Sequence, residues 1–442
     1  MSARGQFSSR IGFILAAAGS AVGLGNIWGF PTKVAENGGA AFVLMYLIMA
    51  FLLAYPVLMA ELIIGRAKRA NMIDALRQIS GNVFGTITGS IGAITVILIL
   101  SFYAIVAGWM LSYLIDSVTN IVSIDLPWLT EDSIPRNLVF MLGFLVVTCI
   151  VVNGGVSNGI ERWSVRLMPT LLILITMLII YVSTLDGAAE GWSKFLVPDF
   201  SKVFDTGLMI DAMGQAFFSM SLGVGTMLVY GSYIQKHENL PRLGTSVALV
   251  DIGVAVLAGM LIIPAMYVAL ANGVQILDDS NNLISGPSLI FQVLPSLFES
   301  MGYIGTIVAA AFFALMAIAA LTSSISMLEV PVAFLVDNKG LKRSKATLLI
   351  TALVFVLSAL IVLNFEQLFG LVITATTEYS QPLLGLVLCV FAGWIWRRDQ
   401  ILEELKNGCE DIKTGLFWKI WPWYVKFVCP LVIALMFYRS VF

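Results

Sequence analysis

Charged residues are scarce in this 442-residue chain, because Asp, Glu, Lys and Arg make up only 12% of it and hydrophobic residues make up 59%. The mean hydropathy is +0.93. A soluble globular domain carries roughly 25% charged residues, so the composition excludes a protein of that class. The sequence therefore indicates an integral membrane protein.

Histidine and cysteine are also rare. The single histidine, His237, has no nucleophile motif or metal-ligand spacing near it, which argues against an enzyme. The net charge is −2, and the basic residues cluster in loops beside the membrane, so we predict no nucleic-acid partner. No outer loop holds a cysteine, and no disulfide framework is expected from Cys149, Cys389, Cys409 and Cys429.

Long apolar runs dominate the chain instead. About 20 residues of helix span roughly 30 Å of hydrocarbon, and eleven runs are long enough. They are continuously apolar rather than alternating, which favours helices over strands. The predicted fold class is an all-α membrane protein with eleven transmembrane helices, near 11–35, 40–65, 87–115, 137–152, 163–184, 205–233, 242–272, 302–336, 344–363, 368–396 and 421–441.

The N-terminal segment MSARGQFSSR is short, polar and basic and has no signal-peptide cleavage pattern, so we place it in the cytoplasm. Alternating the spans from there puts most of the Lys and Arg residues on cytoplasmic segments, including Arg66, Lys339 and Arg397. This asymmetry follows the positive-inside rule and predicts a C-terminus on the outside.

Two glycine-rich stretches suggest an internal repeat within what we predict to be a single domain, residues 1–442. SAVGLGN (20–26) lies in the first span and SMSLGVGT (219–226) in the sixth. Because an odd number of spans separates them, the second group of five enters the membrane from the opposite side. We therefore predict a 5+5 inverted repeat, residues 11–184 and 205–396, followed by one extra helix at 421–441.

These glycines have two explanations. Small residues allow close helix packing in membranes, which is the better reading of a single Gly pair. Matched clusters with polar side chains in both halves favour helices 1 and 6 that are unwound at mid-membrane depth. Unwound carbonyls and amides each cost several kcal/mol unless polar groups meet them. Sodium can meet carbonyls, and amides at a helix end can meet a carboxylate, so we predict a site for a zwitterion and a coupling cation.

A series of motifs along nearly the whole chain resembles the neurotransmitter:sodium symporters, in particular their bacterial amino-acid transporter branch with the leucine-transporter fold. The motifs are specific in this order: GSAVGLGNIWGFP (19–31), AENGGAAF (35–42), MAELIIGR (59–66), SNGIERW (157–163), GQAFFSMSLGVGT (214–226), SGPSLIFQVLP (285–295) and LTSSIS (321–326). The resemblance implies a multi-pass protein of the bacterial cytoplasmic (inner) membrane. It leaves the oligomeric state unknown.

The resemblance also implies two sodium sites. The second would use the carbonyls of Gly19, Val22 and Ala319 with the hydroxyls of Thr322 and Ser323. The first would use the Ala21 carbonyl with Asn26, Ser219 and Asp251.

Asp251 stands where many relatives have Asn. A purely structural carboxylate is a weak alternative, because a membrane-buried acid is costly and usually functional. Chloride-dependent relatives bind an anion nearby, and a fixed acid replaces it in other members. We therefore predict no chloride requirement.

The substrate pocket implied by the resemblance has an apolar lining, which suits a neutral and hydrophobic amino acid. By themselves Ile99, Val224 and Met327 would more often be packing residues. Gly23 lies where monoamine carriers hold an Asp, and its lack of an acid fits a substrate that brings its own carboxylate. Tyr103 would bond that carboxylate and Phe218 would close above it. The implied pocket residues are Ser20, Ala21, Leu24, Gly25, Ile99, Tyr103, Phe218, Ser219, Ser221, Val224, Ser323 and Met327.

Gates follow the family on the inside and depart from it on the outside. Arg4 and Asp337 match the cytoplasmic ion pair, with Phe7 where Trp is usual, and Tyr103 and Phe218 complete the predicted gating residues. The stretch 159–169, from Gly159 to Pro169, resembles a helix-five segment that unwinds to admit water.

The outer Arg is replaced by Gly29, and its Asp partner by Ile373 when counted back from Pro382. Two alternatives stay open. Phe218, Tyr103 and the loop 273–300 close the site unaided, or a larger substrate reaches the vacated space.

Two acids in apolar spans need separate readings. Glu61 fits the family pattern and is interpreted as scaffolding. Glu378 is a structural acid bonded to Thr376, Thr377 or Ser380, or it carries a counter-transported proton, or it faces the substrate.

The predicted function is sodium-coupled symport of neutral, hydrophobic amino acids by alternating access, with the lipid bilayer and a small amino acid as partners. The alternative is a same-fold carrier of another small zwitterion or of a non-amino-acid solute, or a member that binds without translocating.

Overall fold

A computed structural model describes residues 5–441 except 202, 204, 277–282 and 285–287, with side chains to residue 439. The described part is helical throughout its spans. The first eight helices are α1 (Arg10–Ala21), α2 (Gly25–Glu36), α3 (Ala40–Lys68), α4 (Met72–Ser80), α5 (Val83–Ile121), α6 (Ile134–Asn153), α7 (Val156–Ser183) and α8 (Ala188–Leu196).

The second half begins with another interrupted span. Its helices are α9 (Thr206–Ser219), α10 (Thr226–Gly231), α11 (Leu240–Ala271), α12 (Leu289–Ser300), α13 (Gly302–Lys339), α14 (Arg343–Leu363), α15 (Phe365–Ile395), α16 (Arg398–Lys406) and α17 (Leu416–Arg439). Short 3₁₀ turns occur at Pro127–Leu129 and Glu410–Lys413.

The prediction of an all-α membrane protein is confirmed. Within the described residues nine helices are long and apolar enough to cross a membrane, and α1 with α2 make a tenth that is bent by 53°. The sixth predicted span is two short helices, α9 and α10, separated by residues 220–225. The count of eleven and the bounds of the two repeats therefore stay predictions.

The long helices exceed the predicted spans. At about 1.5 Å per residue, the 39 residues of α5 extend well past the hydrocarbon of a bilayer. Glycines let them approach one another closely: a Cβ added at Gly108 of α5 would lie 2.7 Å from the Met141 amide nitrogen of α6. Small residues at such crossings allow the backbone contact that packs helices in membranes. This scaffold surrounds the two interrupted spans.

The first interruption lies between α1 and α2. Val22 leaves the helical region with φ −68° and ψ 105°. The Leu24 amide donates to the Tyr103 hydroxyl at 3.2 Å, so a side chain accepts the hydrogen bond that a helical carbonyl would accept in an unbroken helix. Helix 1 is therefore broken at the predicted place.

The second interruption follows Ser219. Gly223 and Gly225 have φ of +85° and +79°, a region that glycine enters without steric cost, and Ser221 has φ +51°. The buried Glu61 carboxylate accepts from the Gly223 amide at 2.7 Å and from the Leu228 amide at 3.1 Å. Glu61 thus supplies the hydrogen bonds that the unwound segment lacks, in agreement with its predicted scaffolding role.

Candidate functional site

The two breaks meet in the protein interior. The Ser221 hydroxyl donates to the Ser20 carbonyl at 3.1 Å, which links the unwound segment after α9 to the end of α1. The Gly23 amide donates to Asn26 Oδ1 at 3.2 Å. All of these residues are buried. The polar backbone of both breaks therefore faces one shared interior region.

The five groups predicted for the second sodium site converge here. Thr322 Oγ1 lies 3.0 Å from the Ala319 carbonyl oxygen and 3.4 Å from that of Val22. Ser323 Oγ lies 3.1 Å from the Val22 oxygen and 3.4 Å from the Gly19 oxygen. The cluster joins α1 to α13, and its hard oxygen donors are the ligand type that Na⁺ prefers.

Three of the four groups predicted for the first sodium site also lie together. Asn26 Nδ2 donates to Asp251 Oδ1 at 2.7 Å and to Ser219 Oγ at 2.9 Å. Ser219 Oγ donates to Asp251 Oδ2 at 2.8 Å. Ala21 is buried at the end of α1, and its carbonyl is not hydrogen-bonded to any of these three side chains. Sequence reasoning missed Tyr46, whose hydroxyl is 3.2 Å from Ser219 Oγ.

Asp251 is fully buried, and both of its carboxylate oxygens have donors. Burying a carboxylate is costly unless it is hydrogen-bonded or paired with a charge. Asn26 and Ser219 supply the hydrogen bonds. The cluster therefore places a fixed acid among neutral donors and acceptors, an arrangement that can receive a monovalent cation.

Three predicted pocket residues, Leu24, Tyr103 and Phe218, line a cavity of about 650 Å³. Its lining also includes Gly29, Lys33, Asp211, Gln215, Ile373 and Glu378. The other predicted pocket residues lie outside this lining and are buried: Ser20, Ala21, Gly25, Ile99, Ser219, Ser221, Val224, Ser323 and Met327.

Close packing explains why two of the helix-one residues are glycines. A Cβ at Gly25 would lie 2.9 Å from the ring of Phe218, and one at Gly23 would lie 2.7 Å from the Tyr103 hydroxyl. Ser20 Oγ donates to Ser326 Oγ at 2.7 Å. Any larger side chain at Gly23 would displace Tyr103, the residue predicted to bond a substrate carboxylate.

The outer wall of the cavity holds polar contacts that sequence reasoning missed. Lys33 Nζ is 3.5 Å from Asp211, and Gln215 Nε2 donates to the Gly25 carbonyl at 2.6 Å. Both contacts join α2 to α9. Gly29 and Ile373, the positions predicted to replace the family's charged gate, line the same cavity. The available signal was the sequence spacing: Lys33 is four residues after Gly29 and Asp211 is four residues before Gln215, so the members of each pair are neighbours on one helix face.

Glu378 is exposed in the cavity wall, and the reading as a structural acid is wrong. Thr376 donates to the Val372 carbonyl at 2.7 Å, and Thr377 to the Ile373 carbonyl at 2.8 Å. Ser380 is bonded to Thr95 at 2.7 Å. These hydroxyls are thus committed elsewhere, and the readings as a proton carrier or a substrate-facing acid stay open.

At the end predicted to face the cytoplasm, Arg4 lies outside the described residues, so the predicted pair with Asp337 is not described. Asp337 accepts from Asn71 Nδ2 at 3.3 Å. Phe7 is buried, and its ring centroid lies 5.7 Å from that of Tyr230 and 6.2 Å from that of Tyr233. Phe7 therefore packs against two aromatic side chains here, and its gating role stays a prediction.

A buried charged group nearby was missed. Glu329 of α13 accepts from the Tyr233 hydroxyl at 2.6 Å and is paired with Arg343 at 2.5 Å. An acid inside a predicted span was the available signal. The segment 159–169 is helical in this structure, with Pro169 inside α7, so its unwinding remains a prediction.

Comparison with known proteins agrees with this geometry. The profile of the sodium:neurotransmitter symporter family matches residues 4–137 and 131–442. An uncharacterized sodium-dependent transporter of Bacillus subtilis, YhdH, is 35% identical over 98% of this chain and 96% of its own length. The human sodium- and chloride-dependent GABA transporter 2 is 27% identical over 99% of this chain and 80% of its own length.

A solved structure extends the likeness to three dimensions. The crystal structure of MhsT in complex with L-phenylalanine has a TM-score of 0.87 and 35% identity, covering 99% of this chain and 100% of that one. The family profile also spans almost the whole length of the chain. The chain belongs to the sodium:neurotransmitter symporter family: it is a sodium-dependent transporter with the leucine-transporter fold, and not an enzyme.

Proposed function

We propose that this protein is a secondary active symporter that couples inward movement of sodium to uptake of neutral, hydrophobic amino acids by alternating access. The observation that carries the proposal is the convergence of Gly19, Val22, Ala319, Thr322 and Ser323 oxygens across α1 and α13. A cation there would join two helices that must separate for the cytoplasmic path to open. Occupancy of the site would thus control opening.

The substrate class is inferred from the chemistry around the breaks. The Leu24 amide, which donates to the Tyr103 hydroxyl and not to a helical carbonyl, and the Tyr103 hydroxyl itself suit the carboxylate of an amino acid. Ile99, Val224 and Met327 are buried apolar residues outside the lining of the cavity, and they would surround its side chain. The similar protein MhsT was crystallised with L-phenylalanine, which supports a hydrophobic substrate here.

Two sodium ions and no chloride are proposed. Asn26, Ser219 and Asp251, with the Ala21 carbonyl, would hold the first ion, and the substrate carboxylate would join them. The buried acid Asp251 would supply the negative charge that chloride supplies in other members. A fixed charge next to Na⁺ in low dielectric stabilises it strongly without a second mobile anion.

The membrane setting is proposed to be the bacterial cytoplasmic (inner) membrane, with the N-terminus inside and the C-terminus outside. The distribution of Lys and Arg supports this orientation.

Uptake into proteoliposomes tests the proposal. Labelled amino acids are supplied first as mixtures and then singly, with an inward sodium gradient or with potassium replacing sodium outside. We expect sodium-dependent accumulation of hydrophobic amino acids above the equilibrium level, and competition by unlabelled phenylalanine. Accumulation without a sodium gradient, or no accumulation of any amino acid, would contradict the proposal.

Chloride is tested in the same vesicles by replacing it with gluconate on both sides. Because Asp251 supplies the negative charge, the initial rate is expected to stay the same. Loss of uptake in gluconate that chloride restores would show that Asp251 does not play this role.

A further inference from the structure

Lys426 lies in the last predicted span, where a charge is costly unless a polar or charged group meets it. In the part of the chain that the structure describes, no carboxylate forms an ion pair with it. Its ammonium instead lies 4.5 Å from the centre of the Trp394 ring and 5.5 Å from that of Phe427. A cation–π contact replaces only part of the hydration that an ammonium loses. Lys426 can therefore still take an anionic partner.

Contacts between α15 and α17 hold Lys426 in this position. Trp394 Nε1 donates to the Lys426 carbonyl at 2.8 Å. A Cβ added at Gly393 would lie 2.7 Å from the Lys426 Cα, so the two backbones approach closely there. Both helices have a π-helical turn at this crossing, Phe391–Ile395 and Tyr424–Val428. Single π turns inside α-helices often occur at functional sites. The cation and the indole ring are thus fixed next to each other before any ligand binds.

The surface around this cation is aromatic and apolar. Trp394 is 56% exposed, Trp423 is 62% exposed and Phe427 is 41% exposed. The Phe427 ring centroid lies 5.3 Å from that of Trp394 and 5.4 Å from that of Trp423. Exposed Trp side chains are typical of the membrane interface, where the ring lies at the level of the lipid headgroups. Leu431 and Leu435, which are also exposed, continue the same face of α17 toward the hydrocarbon.

A second cation lies nearer the start of α17. Lys419 is exposed, and it forms no ion pair with a carboxylate of the described residues. It is four residues before Trp423 and seven before Lys426, so the three side chains share one face of the helix. Asp399, an acid of the neighbouring helix α16, is paired with Arg397 at 3.8 Å. The lipid-facing surface of α17 therefore carries two Lys side chains below an apolar stripe.

We propose that this surface binds one anionic phospholipid, with its phosphate at Lys426 and its acyl chains along Leu431 and Leu435. The phosphate supplies the negative charge that no described carboxylate supplies. The four methylene groups of Lys426 let its ammonium reach the headgroup while they stay in contact with apolar surface. A zwitterionic lipid offsets its phosphate with its own cation and fits this surface less well. The proposal goes beyond the transport function and does not depend on the substrate or the coupling ion.

Native mass spectrometry of the full chain in detergent tests the site. Delipidated protein is titrated with phosphatidylglycerol or with phosphatidylcholine, and the dissociation constant of the first bound lipid is determined. We expect phosphatidylglycerol to bind more tightly than phosphatidylcholine. Lys426→Gln should weaken phosphatidylglycerol binding about fivefold, the effect of one Lys close to an anionic surface. Lys426→Arg keeps the cation and should bind phosphatidylglycerol as the parent protein does.

Lys345→Gln is the matched control. Lys345 is exposed near the start of α14, on the same predicted side of the membrane, and no aromatic ring of a described residue lies under its ammonium. Its loss should leave the dissociation constant of phosphatidylglycerol unchanged. Trp394→Leu removes both the ring under the Lys426 ammonium and the hydrogen bond to the Lys426 carbonyl, so it should weaken binding in the same direction as Lys426→Gln.

Four results would overturn the lipid site. The first is a parent-like dissociation constant in Lys426→Gln. The second is equal weakening in Lys345→Gln, which would show a general attraction of anionic lipid to positive charge. The third is equally weak binding in Lys426→Gln and Lys426→Arg, which would assign the loss to altered packing. The fourth is displacement of phosphatidylglycerol by inorganic phosphate at the same concentration, which would identify a site for free phosphate.

Discussion

At the scale of single residues, the hydroxyl of Ser323 offers a test of the second sodium site. It lies 3.1 Å from the Val22 oxygen and 3.4 Å from the Gly19 oxygen, so Ser323→Ala removes one proposed ligand. The sodium concentration for half-maximal uptake should rise about tenfold, as expected for losing one favourable polar contact to a charge. Initial uptake rates measured across a sodium series give this value.

Ser324→Ala is the matched control for Ser323→Ala. Ser324 is the next residue of the same helix and is equally buried, but its hydroxyl donates to Leu321 and contacts Thr148 at 3.0 Å. Its sodium dependence should stay near that of the parent. Equal shifts in both variants would mean that the loss reflects general packing of α13 and not coordination.

Residue-scale features differed in how far sequence could predict them. Gly19, Val22, Thr322 and Ser323 were found because they belong to motifs of fixed spacing, although their roles remain proposals. The partners of Glu61 and Glu329 were out of reach. A sequence gives the identity of a hydroxyl, but which acceptor it bonds depends on how distant helices meet.

At the scale of helices, the break in the sixth span depends on Glu61. Gln in its place keeps one acceptor but turns an amide donor toward the Gly223 or Leu228 amide. Glu61→Gln should lower the unfolding free energy by about 1–3 kcal/mol, the cost of leaving a buried group unpaired. Thermal unfolding in detergent measures the change.

A second carboxylate serves as the control for Glu61→Gln. Glu403 is exposed on α16, so Glu403→Gln should leave the unfolding temperature unchanged. If Glu61→Gln were as stable as this control, the unwound segment would be held by its packing and not by the carboxylate.

Helix positions were predicted well where composition decides them. Apolar length located the spans, and Gly with Ser located both breaks, because unwound backbone in lipid needs small residues and polar partners. Helix ends were less predictable. Helix α5 begins at Val83 and ends at Ile121, beyond the predicted 87–115. Apolar length marks only the part of a helix that lies in hydrocarbon, and contacts with the rest of the protein stabilise the turns beyond it.

At the scale of the whole molecule, polar contacts join the outer halves of the two broken spans. Asp211 is 3.5 Å from Lys33 and accepts from Asn37 at 3.1 Å, while Gln215 bonds the Gly25 carbonyl. We expect α2 and α9 to move together when the outer cavity closes. Gly29 and Ile373, which line the same cavity, carry no charge and form no ion pair with each other.

Two variants on α9 compare how much each of these contacts contributes to the uptake rate. The Lys33–Asp211 pair is partly exposed, at 37% for each side chain, and such pairs contribute little, so Asp211→Asn should slow uptake about fivefold at most. Gln215 is buried, and Gln215→Ala should slow uptake about tenfold or more. Initial rates at saturating sodium measure both, and a larger effect of Asp211→Asn would contradict this ranking.

The hydroxyls of Thr322 and Ser323 have a consequence for the return of the carrier after it delivers its cargo. A hydroxyl can accept a cation with its lone pairs or donate its proton to a neighbouring carbonyl. Here both hydroxyls donate to oxygens of α1 and α13. If sodium binds here as proposed, each hydroxyl could exchange the ion for a carbonyl partner by rotating about one bond. An empty carrier could then return to its starting conformation without leaving these polar groups unpaired. The return step would therefore not have to limit turnover.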